Sequence, residues 1–97
     1  MKTLPQIQAI LHTHTRDLRD RYGLTNLAVF GSVVRGEARE DSDVDVLADV
    51  ERPIGLIALV GAENYLSDLL GAKVDLVLKR SVRRELQDQI FGEAVAV

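Results

Sequence analysis

The chain has 97 residues, 46% of them apolar and 28% charged, which suits one small domain with one core and leaves no room for a second module. It contains no cysteine, so disulfides, thiolate zinc sites and a cysteine nucleophile are excluded. A net charge of −3 and an aromatic content of 4% argue against a general nucleic-acid binder, and no direct nucleic-acid partner is expected. The longest uncharged apolar run, residues 54–62, is too short to span a bilayer. The N-terminus lacks the basic-then-apolar pattern of a signal peptide. The expectation is one cytoplasmic domain over residues 1–97, with no membrane partner.

Residues 3–22 read as one helix, because Leu4, Ile7, Leu11, Leu18 and Tyr22 recur at three- and four-residue steps. Thr3 with Gln6 fits a capping box, Pro5 is tolerated in a first turn, and Gly23 fits the stop. His12 and His14 stand two apart, on different faces of that helix, which speaks against a shared metal. Residues 24–30 form an apolar run consistent with a buried strand, broken by Gly31-Ser32. Residues 32–38 have room for one or two helical turns, and 40–42 are a polar connection. Residues 43–50 read as a second strand with Val44 and Val46 on one face and Asp43 and Asp45 on the other. Pro53 opens a helix to about Leu70, with Ile57, Val60, Leu66, Leu69 and Leu70 as its apolar face and Gly71 as its C′ residue. Its apolar surface exceeds what one small sheet needs, which points to self-association or a partner. Residues 73–78 are a third strand with one charge inside it, Asp75. Ser81 reads as the N-cap of a last helix to about Phe91, and residues 94–97 as an edge strand or a frayed end.

The order α-β-α-β-α-β-α implies an α/β (α+β) domain: a small mixed sheet of three to four strands covered by helices. Charge is uneven along it. Acidic residues crowd 37–51, and Lys79, Arg80, Arg83 and Arg84 form a patch that reads as solvent-facing. Tyr22 and Tyr65 read as core or rim residues.

Asp43, Asp45 and Asp75 are the charged residues inside strands. Each alone has an ordinary solvent-facing explanation. Asp43 and Asp45 share a face, however, and Asp75 joins them if the third strand lies beside the second. Three carboxylates on one patch repel unless cations neutralise them. Hard oxygen ligands suit Mg²⁺, which favours carboxylates together with substrate phosphates. Two such ions can activate an attacking oxygen and steady a leaving pyrophosphate. Gly31-Ser32 lies where a strand ends and a short helix begins. Glycine permits close backbone approach to a ligand, and free amides with a hydroxyl attract anions. Arg35, one turn on, either reaches a phosphate or lies on the surface.

Gly31-Ser32, ten residues, then Asp43-Val44-Asp45 resembles the signature of the nucleotidyltransferase superfamily that includes DNA polymerase β. The intervening "VVRGEAREDS" is similar to the minimal nucleotidyltransferases, including Arg35-Gly36 and Ser42, and "KVDLV" (73–77) looks like that family's third carboxylate strand. The likeness runs from the first helix to the last. It implies a polymerase β-like core in which Gly31 and Ser32, with Arg35 and Ser42, bind nucleotide. It further implies that Asp43 and Asp45 bind two Mg²⁺ ions, and that Asp75 binds the catalytic one and helps deprotonate the acceptor. The implied reaction is transfer of AMP from ATP with loss of pyrophosphate. Minimal nucleotidyltransferases resemble the antitoxins paired with HEPN-type toxin ribonucleases, and family members modify a toxin tyrosine with AMP. Such a toxin is therefore the implied partner and acceptor. Two other readings compete: a contact-only antitoxin, and a small-molecule transferase similar to the aminoglycoside-modifying members, against which the lack of a second domain counts.

Overall fold

The computed structural model describes residues 2–97. The elements, in chain order, are α1 (Leu4–Thr13), α2 (Thr15–Tyr22), β1 (Leu24–Phe30), α3 (Ser32–Arg35), β2 (Val44–Val50), α4 (Leu56–Leu70), β3 (Val74–Leu78), α5 (Arg84–Glu93) and β4 (Val95–Ala96), with a 3₁₀ turn at Lys79–Ser81. They build a mixed α+β fold around a four-stranded sheet of order β3-β2-β1-β4. β1 runs antiparallel to β2 and β4, and β2 runs parallel to β3 through α4.

The N-terminal helix starts where its capping box predicts. The Thr3 side chain accepts from the Gln6 amide, and the Gln6 side chain accepts from the Thr3 amide. One helix over 3–22 is corrected to two, broken at His14 (φ −103°, ψ 9°). The "HTHT" stretch explains the break. The Thr13 hydroxyl donates to the Ala9 carbonyl, the Thr15 hydroxyl to His12, and His14 Nδ1 lies 2.8 Å from the Ile10 carbonyl. Such side chains compete for backbone groups and bend helices. The break turns α2 so that Leu18 joins Ile7 and Leu11 in the core.

The start of α4 is Leu56 rather than Pro53, with Gly55 as an extended N-cap. Its buried face is also corrected. Ala62, Leu66 and Leu70 face inward, while Ile57 is 91% and Val60 46% exposed. The last helix begins after Arg83 instead of Ser81, because Ser81 is taken up in the 3₁₀ turn. Residues 95–96 form an edge strand on β1. No helix among the described residues is long and apolar enough to cross a membrane.

One face of the sheet packs Val29, Val44, Val46, Ala48, Val74 and Leu76 against α1, α2 and α4. The other face carries Ala28, Phe30 and Leu47, only partly roofed by Val82, Ile90 and Ala94. The parity of β1 switches within the strand: Leu24 faces the helices, and so do Leu27 and Val29. A bulge between Thr25 and Ala28 causes this, with Asn26 in the left-handed region at φ 50°. The extra residue sets Phe30 opposite Asp45.

Candidate functional site

Strand alternation puts Asp45 on the lightly roofed face, since Val44 and Val46 belong to the helical core. The parallel register pairs Asp45 with Asp75, so the two carboxylates leave adjacent strands side by side. Asp43 precedes β2 by one residue and lies 3.9 Å from the Lys73 ammonium, both groups being exposed. It is close enough to Asp45 to act on its charge. The Asp45 carboxyl is held above its ordinary value of 3.8, by burial first and then by Asp75 and Asp43. Arg35 opposes the shift and Glu93 adds to it. These are the physical marks of an uncompensated acidic row.

Gly31 follows β1 directly, at φ 81° and ψ −151°. A Cβ placed there would collide with the Asp45 carboxylate. Glycine is thus required twice, for its backbone angle and for the closeness of the turn to the acidic row. The Gly31 carbonyl accepts from the Val34 and Arg35 amides and closes the short turn. Ser32 is half-buried, and among the described residues its hydroxyl makes no hydrogen bond. Arg35 reaches back to the turn. Its Nη1 lies 3.1 Å from both Glu93 oxygens and its Nε 3.1 Å from Glu37 Oε2. Those carboxylates hold the guanidinium above its ordinary value.

The structure therefore gathers Asp43, Asp45, Asp75, Gly31, Ser32 and Arg35 at one end of the open sheet face. Ser42 bonds within its own loop. Its hydroxyl accepts from the Arg39 amide at 2.8 Å, and its own amide donates to the Arg39 carbonyl at 3.0 Å. It shapes the loop that delivers Asp43. Sequence reasoning missed Glu93, whose Oε1 accepts from the Gly31 amide at 3.0 Å. A contact across 62 positions leaves no trace in local spacing.

The donor set is entirely oxygen, which suits a hard cation. As the side chains stand, no group of three or more His, Asp or Glu residues among those described is close enough to hold a metal ion. Asp45 and Asp75 leave paired positions on neighbouring strands, which lie ~4.8 Å apart. Farther along the open face, toward the end of β2, lies a depression of about 580 Å³ lined by Leu47, Asp49, Lys79, Phe91 and Ala94.

His14 meets Tyr65 edge-on, and Tyr65 packs near Tyr22 with Arg21 over its ring. The two tyrosines join α2 to α4 as part of the core rim. Arg80, Arg83 and Arg84 are exposed, whereas Lys79 pairs with Asp49 at 3.5 Å.

The nucleotidyltransferase domain family matches residues 11–97. The protein adenylyltransferase MntA of Thermococcus cleftensis is 46% identical over 97 residues, covering 100% of this chain and 98% of that one. A solved structure described as a minimal nucleotidyltransferase superposes with a TM-score of 0.81 at 36% identity, over 99% of this chain and 97% of that one. A toxin–antitoxin crystal structure with AMP-PNP has a TM-score of 0.76 at 26% identity, over 92% of this chain and 70% of that one.

Proposed function

Because the chain belongs to the nucleotidyltransferase domain family, we propose that it transfers AMP from ATP to a tyrosine hydroxyl of a HEPN-type toxin ribonuclease and acts as its antitoxin. The observation that carries this reading is the register pair Asp45–Asp75, set against the Gly31–Arg35 turn. In the reaction, the acceptor oxygen bonds to the α-phosphorus of ATP. The bond from that phosphorus to the oxygen bridging to the β-phosphate breaks, and pyrophosphate leaves with the electron pair. Asp75 takes the hydroxyl proton. Asp43, Asp45 and Asp75 are the groups that would hold Mg²⁺, and bound Mg²⁺ supplies positive charge to the phosphate oxygens. The Gly31 amide, the Ser32 hydroxyl and Arg35 hold the β- and γ-phosphates, while Ser42 fixes the loop ahead of Asp43.

A protein acceptor is supported by the Thermococcus relative, which is named a protein adenylyltransferase. A toxin partner is supported by the structural neighbour that is a toxin–antitoxin assembly with AMP-PNP. The test is incubation with Mg²⁺, ATP labelled in its α-phosphate and the protein encoded beside this one. An Asp43→Asn, Asp45→Asn double variant serves as control. Label on the neighbour that vanishes in the variant is expected, and mass spectrometry then locates the modified residue. Tight binding by both forms with no label would favour neutralisation by contact alone.

A further inference from the structure

We propose that Glu93 is a resident competitor for the phosphate position: its carboxylate occupies the Gly31 amide and the Arg35 guanidinium, and a nucleotide must displace it in order to seat there. The inference rests on the nucleotidyltransferase reading above.

Glu93 Oε1 accepts from the Gly31 amide at 3.0 Å, and both of its oxygens lie 3.1 Å from Arg35 Nη1. A carboxylate on a backbone amide and a guanidinium uses the donors a phosphate oxygen would use. Its hold is conditional. Glu93 sits close enough to Asp45 to raise that carboxyl, as Asp43 and Asp75 also do, so it joins a region already crowded with negative charge. Among the described residues, Arg35 is its one cationic partner. Once Arg35 turns to a phosphate, only the Gly31 amide is left to offset the repulsion, and Glu93 leaves.

The element that carries Glu93 lies at the surface, with Ile90 and Ala94 as its contacts to the sheet. It is the last residue of α5, a helix with no buried residue. The following β4 meets β1 through two register pairs, and hydrogen bonds from the Val97 amide to the Leu27 carbonyl and from Gln8 Nε2 to the Ala96 carbonyl hold it further. Segments with few buried contacts open at low free-energy cost. Withdrawal of Glu93 needs only a change of its own rotamer at the end of α5, and leaves the core around Leu66 and Val46 intact.

A closed form populated at 90–99% weakens apparent ligand affinity by roughly 10- to 100-fold. The test is calorimetric titration with AMP-PNP plus Mg²⁺, and separately with tripolyphosphate, of wild type, Glu93→Gln and Glu93→Asp. Melting curves check that each is folded. The expected result is that Glu93→Gln binds both ligands at least ~10-fold more tightly than wild type. Glu93→Asp keeps the charge but withdraws it by one methylene, so it falls between them and carries the test alone should Glu93→Gln not fold. Equal or weaker binding by a folded Glu93→Gln, with measurable binding by wild type, would overturn the inference alone and make Glu93 a positioning residue for Arg35. Absence of binding in every form would overturn the nucleotidyltransferase reading, and this inference with it.

Discussion

Gly31 and Asp45 are a matched pair, since the missing side chain of one makes space for the carboxylate of the other. Gly31→Ala is expected to abolish nucleotidyl transfer while leaving a folded protein, because the collision lies at the open end of the sheet, away from the core; transfer assays beside a melting curve check this. Asp45 also carries a pH signature. Its folded carboxyl is raised above 3.8, so the folded state binds the proton more tightly than the unfolded chain. Stability therefore falls as pH rises from the ordinary value through the raised one. Asp45→Asn removes that loss. Without divalent cations, the variant is expected to melt higher than wild type at neutral pH, and the gap should close once both forms are neutral at acid pH. Adding Mg²⁺ should stabilise wild type and not the variant. A variant that melts lower at neutral pH would contradict the acidic-row account. The placement of Asp45 and Asp75 on one sheet face was approachable from sequence because strand alternation announces itself locally. Glu93 was not, because only the folded chain brings "FGEAVAV" back to Gly31.

Element by element, the pattern of apolar residues placed β1, β2, β3 and most helices, and its failures have separable causes. The helix over 3–22 broke at His14 because hydroxyl and imidazole groups compete for carbonyls, an effect that periodicity does not register. The face of α4 was misread near its start. Ile57 and Val60 continue the apolar spacing, yet they lie exposed, and Ala62, Leu66 and Leu70 make the buried face. Leu66→Ala is expected to cost ~2–5 kcal/mol by leaving a core cavity, whereas Ile57→Ala should change stability by less than ~0.5 kcal/mol; denaturant titration separates the two. In β1 the sequence shows only an apolar run, and the switch in parity rests on one residue. Asn26→Val is expected to destabilise by roughly 1–2 kcal/mol, since a β-branched residue resists the left-handed backbone, while Asn26→Gly should cost less.

Across the whole molecule, the candidate site is a product of topology. The turn after β1 and the starts of β2 and β3 meet because β1–β2 is antiparallel and β2–β3 is parallel. The helices fill the opposite face, so the carboxylates need no place in the core. The end of the chain then closes over the turn through α5 and β4. The layered α+β architecture followed from the order of elements in the sequence. The register that pairs Asp45 with Asp75 did not, because nothing local fixes how far α4 returns the chain. The central claim is that this one end of the sheet seats a nucleotide through its cations. Its most direct test is backbone amide spectroscopy of the wild type and of Asp43→Asn, Asp45→Asn during titration with AMP-PNP and Mg²⁺. The account predicts that the largest changes fall on Gly31, Ser32, Arg35, Asp45 and Asp75, and that they depend on Mg²⁺ and disappear in the double variant. Changes centred elsewhere on the chain, or unaltered by removal of the two carboxylates, would contradict it.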